Sequence, residues 1–123
     1  MEIDGMVRKL NSLSEDVGAV VVFAGIVRSE GGRVKKLKYE VYESMFRKVV
    51  EEIRREAMKK FPVFGVEIEH RFGEFPPGDI VFLVGVAARH REEAFEACRW
   101  VVDEFKSRAP VWKKEVGEEE RWL

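Results

Sequence analysis

The chain is poor in residues that cross-link, bind metals or deamidate. Its one cysteine, Cys98, excludes an internal disulfide and a zinc site built from cysteines. Its two histidines, His70 and His90, have no further ligands at metal spacing, so we expect no metal site. Threonine and glutamine are absent, and Asn11 is the single asparagine. With polar positions dominated by Glu, Lys and Arg, this composition is typical of heat-adapted proteins.

Long apolar runs are absent too. No run approaches the roughly 18 apolar residues that span a bilayer, so no membrane partner is expected. The first residues, Met-Glu-Ile-Asp, do not form a basic region leading into an apolar stretch. No signal peptide is therefore predicted, and we expect a cytoplasmic location. The 22 basic and 23 acidic residues nearly cancel, so any basic site must come from local clustering.

The pattern of apolar residues predicts one α+β domain that covers residues 1–123. Helical periodicity and strand alternation give the order α-β-β-α-β-β-α-β. The predicted helices cover residues 4–13, 44–61 and 91–106, and the predicted strands cover 19–27, 34–42, 66–70, 80–88 and 111–116. Because strands come in adjacent pairs between helices, we expect a largely antiparallel mixed sheet packed by helices, similar to an α/β-hammerhead.

The third predicted helix carries the lone cysteine on its apolar side. The spacing places the inward stripe at Ala94, Phe95, Cys98, Val101, Val102 and Phe105. A thiol in such a stripe is buried and has a raised pKa. We therefore expect Cys98 to be a core residue and not a nucleophile.

Positive charge is concentrated between Lys106 and Lys114. Lys113 and Lys114 are adjacent on a predicted strand, so they point to opposite faces, and one of them can face a pocket while the other stays in water. A lysine near other cations or apolar walls has a lowered pKa and can act as a base or nucleophile. Lys106 has a second interpretation, because a cation at a helix C-terminus is favourable in any protein. Trp112 fits either a wall of the site or the core.

Two further basic groups follow buried strands. Arg28 comes just after the first strand, where a guanidinium can bind an anion with two hydrogen bonds. His90 and Arg91 lie at the start of the third helix, whose free N–H groups favour a phosphate or carboxylate. Ordinary solvated strand ends, with arginines paired to surface glutamates, explain both groups as well.

Four segments in order resemble the large, catalytic subunit family of molybdopterin synthase. They are Gly18–Arg28, His70–Glu74 with Pro77–Asp79, Ala88–Ala97, and Lys106–Glu115. The block Lys-Ser-Arg-Ala-Pro-Val-Trp-Lys within the last segment is quite specific to that family. The resemblance extends from about residue 18 to Trp122, nearly the whole chain.

The resemblance implies an activity that spacing alone does not show. Members of this family convert cyclic pyranopterin monophosphate into molybdopterin by installing the two sulfurs of a dithiolene. The sulfur comes from a small ubiquitin-like partner that carries a C-terminal Gly-Gly thiocarboxylate. A homodimer of large subunits binds one small subunit at each end, which gives a heterotetramer. No cofactor is expected. The lone cysteine need not take part, because the sulfur arrives on the partner.

The resemblance also implies a set of site residues. The family's substrate contacts fall on Ile26, Val27, Arg28, His90, Arg91, Lys106, Lys113, Lys114 and Glu115. Lys106 matches the most directly catalytic lysine, and Lys113 matches a second important lysine. Relatives often have lysine where this chain has Ile26, which therefore offers only backbone or apolar contact. A basic contact from the longer tail of many relatives is missing here unless Arg121 supplies it.

Two other functions compete with this one. A non-enzymatic module that binds an anionic ligand and regulates a neighbour would explain the basic clusters, but not two lysines spaced around Arg-Ala-Pro-Val-Trp. The basic stretch from Arg33 to Lys38 could bind RNA, but no interleaved aromatics or RNA-binding motif support that function. We therefore expect no nucleic-acid partner.

Overall fold

The computed structural model describes residues 1–117 and 120–123. The helices in this part of the chain are α1 (Ile3–Asn11), α2 (Glu43–Lys60) and α3 (Arg91–Arg108). The strands are β1 (Ala19–Ile26), β2 (Lys36–Val41), β3 (Val63–His70), β4 (Gly73–Phe75), β5 (Ile80–Ala88), β6 (Val111–Val116) and β7 (Glu120–Trp122). None of the described helices is long and apolar enough to cross a membrane.

The strands form two sheets, in the orders β1-β5-β3 and β4-β2-β6-β7. Every pairing among the described residues is antiparallel, which confirms the predicted α+β class and its antiparallel character. The predicted strands do not share one sheet, because the chain leaves the first sheet after β1. A register shift between Gly25 and Ile26 marks that exit, and the Val27 N–H then donates to the Asp79 carbonyl.

Strand β5 is the centre of the fold, and its residues from Val81 to Ala88 are all buried. Alternate side chains point to opposite faces of a strand, so β5 supplies two cores. Val84 and Val86 belong to a large core with α2 and α3, whereas Leu83 and Ala87 pack with α1. The continuous apolar run in the sequence follows from this burial on both faces.

The positions of the three helices agree with the sequence pattern. The sequence does not predict two short strands, and it places one helix residue on the wrong face. Strands β4 and β7 have three residues each, too few to show alternation. The prediction that Phe95 faces inward is wrong, because its side chain is 61% exposed. The buried residues of α3 are Ala94, Ala97, Cys98, Val101, Val102 and Phe105, and Phe95 lies beside that stripe.

Gly18 allows the start of β1 to approach the end of β5 closely. Its N–H donates to the Ala88 carbonyl at 3.0 Å, and a Cβ at this position would lie 2.2 Å from the Arg89 carbonyl oxygen. A backbone oxygen in this position cannot turn aside as a side chain can. The substitution must therefore move the backbone that leads into α3.

We expect Gly18→Ala to lower the free energy of unfolding by about 1–3 kcal/mol, the usual cost of overpacking. Gly5→Ala is the matched control, because its Cβ would meet only the Glu2 side chain, at 3.6 Å, inside α1. This control should stabilise by about 0.5–1 kcal/mol, as alanine does in a helix. Denaturant titration of both variants measures the difference. Equal stability of the Gly18→Ala variant and the unsubstituted chain would contradict the close approach.

Candidate functional site

A cavity of about 470 Å³ lies where the end of β1, the start of β5 and the end of α3 meet β2 and β6. The titratable side chains that line it are Arg28, Glu30, Tyr39, His70, Lys106, Lys113 and Glu115. The rest of the wall is mainly aromatic and aliphatic, including Phe82 and Phe105. The site therefore combines several cations with an apolar wall.

Lys106 and Lys113 approach the cavity from two different elements. Lys106 lies in the last turn of α3, and Lys113 lies on β6 after the turn at Pro110. Within residues 1–117 and 120–123, neither ammonium group forms an ion pair. Partial burial lowers the pKa of Lys113, and the positive charges of Lys106 and Arg28 lower it further. Such a cluster attracts an anion and makes Lys113 easier to deprotonate.

Tyr39 lines the cavity next to Lys113. The two residues are direct partners in the β2–β6 pairing, and the Lys113 Nζ lies 5.9 Å from the centroid of the Tyr39 ring. Burial raises the pKa of Tyr39, so its hydroxyl stays protonated. The phenol therefore supplies a neutral polar group next to the cations.

His70 is a cavity residue that the sequence analysis did not assign to the site. It ends β3, and its Nδ1 lies 2.6 Å from the Arg71 carbonyl oxygen. Burial lowers the pKa of His70 to about 4, and the charge of Lys113 lowers it as well, while the hydrogen bond to Arg71 acts in the opposite direction. The signal was present in the sequence, because His70 alternates with Val66 and Ile68 on the inward face of a strand.

The three consecutive residues predicted around Arg28 have different positions. Arg28 lines the cavity, and its guanidinium lies 3.0 Å from the Glu30 carboxylate. Ile26 also lines the cavity and is 54% exposed, as an apolar contact requires. Val27 is buried, and both its backbone groups bond to the Gly78–Asp79 turn. The structure therefore does not bring Val27 to the cavity.

Lys114 lies on the opposite face of β6 from Lys113. Its ammonium pairs with Glu120 and lies 5.1 Å from the centroid of the Trp122 ring. Trp112 alternates in the same way and is 51% exposed, so it is neither a wall of the cavity nor core. Within one chain, the structure does not bring Lys114 to the cavity.

Glu115 lines the cavity, but its oxygens already have partners. Arg33 donates to both of them, at 3.0 and 3.3 Å, and Arg121 donates to Oε1 at 2.8 Å. The hydrogen bond from Arg33 is the main cause of its lowered pKa, and Arg121 lowers the pKa further. Glu115 therefore links two parts of the fold: the turn before β2, through Arg33, and strand β7, through Arg121. The Arg121 guanidinium is occupied by this ion pair.

His90 and Arg91 lie at the other end of α3 from Lys106. Arg91 and Lys106 are fifteen residues apart on this helix, which is about 22 Å at roughly 1.5 Å per residue. Ala88 pairs with Ala19, at the end of β1 that is remote from Arg28. The structure of one chain therefore does not bring His90 and Arg91 to the cavity, although their basic character suggested a shared site.

The described residues offer no metal-binding cluster, and the lone thiol lies in the core. Among the described residues, no group of three or more His, Cys, Asp or Glu side chains could hold a metal ion. Cys98 is buried in the core, and burial raises the pKa of its thiol to about 11. Its core position was predicted correctly from its place on the helix. The titratable groups that the cavity presents are lysine, arginine, tyrosine, histidine and glutamate side chains.

The fold and the cavity define a class: an α+β protein with a cationic site suited to an anionic substrate. Comparison with known proteins is more specific, because the family model described as MoaE protein matches residues 1–108. The chain belongs to the MoaE protein family.

Relatives and solved structures agree with this assignment. The molybdopterin synthase catalytic subunit of Pyrococcus abyssi is 50% identical over 113 residues, covering 89% of this chain and 76% of the relative. The subunit of that name in Caulobacter vibrioides is 44% identical over 110 residues, covering 89% and 73%. A crystal structure of molybdopterin synthase from Staphylococcus aureus matches with a TM-score of 0.92 and 32% identity, covering 100% of this chain and 90% of the other.

The arginine pair around Glu115 predicts a pH-dependent effect on stability. A carboxyl group whose pKa is lowered by folding stabilises the folded state above its unfolded-state pKa, and loses that contribution as the pH falls through its folded-state pKa. Glu115→Gln should therefore lower the Tm at pH 7. The difference from the unsubstituted chain should shrink between about pH 5 and pH 3 as the native carboxylate protonates.

Glu74→Gln is the control for this effect. Glu74 pairs with Lys36 at 2.9 Å, but both side chains are more than 40% exposed, so its Tm change should be much smaller. Thermal melts from pH 7 to pH 3 measure both variants. A Tm difference for Glu115→Gln that does not depend on pH would contradict the ion-pair explanation.

Proposed function

We propose that this chain is the catalytic subunit of a molybdopterin synthase, a sulfurtransferase of molybdenum cofactor biosynthesis. Its substrate is then cyclic pyranopterin monophosphate, and its place of action is the cytoplasm. One observation carries the proposal: Lys106 and Lys113, which the family resemblance marks as catalytic, line one cavity although they come from different elements. A catalytic pair must converge in this way, whereas unrelated surface lysines need not.

The cations have two tasks in this reaction. Arg28, Lys106 and Lys113 offset the negative charge of the phosphate, which grows on the leaving oxygen when the ring opens. The two lysines also transfer protons as the thiocarboxylate sulfur attacks. Lys113 suits the role of base, because its lowered pKa increases the fraction of neutral amine. This feature favours catalysis over a module that only binds an anion.

A sulfur donor must reach these lysines from outside the chain. The proposed donor is a small ubiquitin-like protein with a C-terminal Gly-Gly thiocarboxylate. Strand β1 is an edge strand of its sheet in the described part of the chain, and Phe23 to Ile26 line the cavity. An exposed edge can bind an extended peptide through backbone hydrogen bonds. A narrow glycine tail is suited to such an approach.

His90 and Arg91 fit this function only if a second copy supplies them. They lie about 22 Å along α3 from the lysine of their own chain. Phe95, one turn after Arg91, is 61% exposed, which is unusual for a phenylalanine and typical of a protein contact. We propose that in the homodimer each chain presents His90 and Arg91 to the cavity of its neighbour.

Substitution of the two lysines tests the catalytic site directly. With a thiocarboxylated partner and the cyclic pterin, Lys106→Ala and Lys113→Ala should each reduce dithiolene formation at least about a hundredfold, the usual contribution of acid–base residues. Lys48→Ala is the matched control, because Lys48 is exposed on α2 and does not line the cavity, and it should change the rate less than about threefold, as expected of a surface substitution. Full activity of Lys106→Ala, or none from the unsubstituted protein with a competent partner, would contradict the proposal.

Mixed dimers test the origin of His90 and Arg91. Arg91→Ala and Lys106→Ala homodimers should both be inactive. If the site is shared, a mixed dimer has one cavity with both substitutions and one with neither, so activity should recover to about half per dimer. If each chain supplies its own Arg91, every cavity in the mixed dimer carries a substitution. Differently tagged chains that are purified as mixed dimers distinguish the two cases.

A further inference from the structure

His70 is a cavity residue to which the proposed reaction gives no task. Its ring stacks on Phe72 and Phe105, with centroids 5.0 and 5.6 Å away and interplanar angles of 23° and 14°. The Tyr39 ring meets it edge-on at 5.0 Å. Because aromatic rings stack on the imidazole, its edges are the parts left for hydrogen bonds.

The contact with Arg71 determines which nitrogen carries the proton. The Arg71 carbonyl oxygen can only accept, so at 2.6 Å the Nδ1 of His70 must donate. In the neutral imidazole, Nε2 is then an acceptor. The neutral form persists at pH 7, because burial and the charge of Lys113 keep the pKa of His70 near 4. His70 is therefore a fixed hydrogen-bond acceptor and a poor base.

Two side chains of the lining, Tyr39 and His70, are neutral hydrogen-bond acceptors, but the Tyr39 hydroxyl can turn to donate instead. Arg28, Lys106 and Lys113 can only donate hydrogen bonds while they are charged. Both acidic residues of the lining have partners, since Glu30 pairs with Arg28 and Glu115 with two arginines. A cavity of this kind recognises negative charge but does not distinguish one anion from another. A neutral acceptor of fixed direction, the Nε2 of His70, supplies that selectivity.

We propose that His70 is a specificity-determining residue whose Nε2 accepts a hydrogen bond from an N–H group of the heterocyclic substrate while the cations hold its phosphate. This inference rests on the proposed function, since it needs an anionic substrate with an N–H donor. An anion without donors, such as sulfate, gains nothing from His70.

The tautomer is the first test and requires no substrate. Because the chain has two histidines, long-range ¹H–¹⁵N spectra of the full-length labelled protein contain two imidazole systems, and His70→Gln assigns them. We expect Nδ1 of His70 to be protonated and Nε2 to be unprotonated. The cyclic pterin phosphate should shift the Nε2 resonance, and sulfate should shift it much less. Protonation at Nε2 in the free protein would overturn the proposal, whatever the variants do.

Two conservative substitutions of His70 distinguish the contribution of Nδ1 from that of Nε2. Asparagine places its amide near Nδ1 and can still donate to Arg71, whereas glutamine places its carbonyl oxygen near Nε2. We expect His70→Asn to weaken binding of the cyclic pterin phosphate about tenfold and His70→Gln by less than about threefold, as loss or retention of one hydrogen bond implies. Sulfate affinity should be equal in both variants and the unsubstituted chain, whereas Lys113→Ala should lower it.

The outcomes distinguish this inference from the proposed function. Equal effects of the two variants, or a stronger effect of glutamine, would assign His70 a structural role through Arg71 and overturn the inference. Thermal melts identify a variant that does not fold, in which case the tautomer measurement decides. If the unsubstituted chain binds the pterin phosphate with the expected difference between variants but never forms dithiolene, the proposed function fails and the inference stands. Absence of pterin binding overturns both.

Discussion

The burial of β5 on both faces is the constraint on which the rest of the structure depends. A strand with no polar face needs a cover on each side, and α3 with α2 provides one cover while α1 provides the other. The positions of β1 and α3 follow, because both pack along this strand. Their ends then determine where the functional side chains lie. Arg28 and Lys106 reach one end of the layer, and His90 and Arg91 lie at the other.

This arrangement explains why basic clusters that look equivalent in the sequence are not equivalent in space. Antiparallel pairing of β1 with β5 places Ile26 beside Ile80 and Ala19 beside Ala88. The residues that follow β1 and those that follow β5 therefore lie beyond opposite ends of the paired strands. Helix α3 repeats this separation, because Arg91 begins it and Lys106 is in its last turn. A second chain is the simplest way to unite the two groups, and the exposed Phe95 suits such a contact.

Much of the fold could be predicted, because in the long helices and strands the spacing of apolar residues in the sequence matches the residues that are buried. The continuous apolar run of β5 and the stripes of α2 and α3 determine their types without tertiary information. The short strands β4 and β7 depend on pairing with β2 and β6, which no local pattern encodes.

The site was predictable in part. Alternation on β6 showed that Lys113 and Lys114 diverge, but it could not show which of them faces the cavity. The role of Glu115 depends on Arg33, 82 residues away in the chain, so only the folded structure reveals it.

Lack of an ion-pair partner is not what marks the two cavity lysines. Surface residues such as Lys48 and Lys59 also have no ion-pair partner in the described part of the chain, but water solvates them at little cost. Lys106 and Lys113 differ because they share a cavity with Arg28. Burial is the main cause of the lowered pKa of Lys113, and the positive charges of Lys106 and Arg28 add to it. The chain is rich in acidic residues, yet neither acidic residue of the lining neutralises these lysines, since Glu30 is held by Arg28 and Glu115 by Arg33 and Arg121. Positive charges held this close together repel one another, and a bound anion offsets that repulsion. Repulsion among these charges therefore contributes both to anion binding and to the lowered pKa of Lys113.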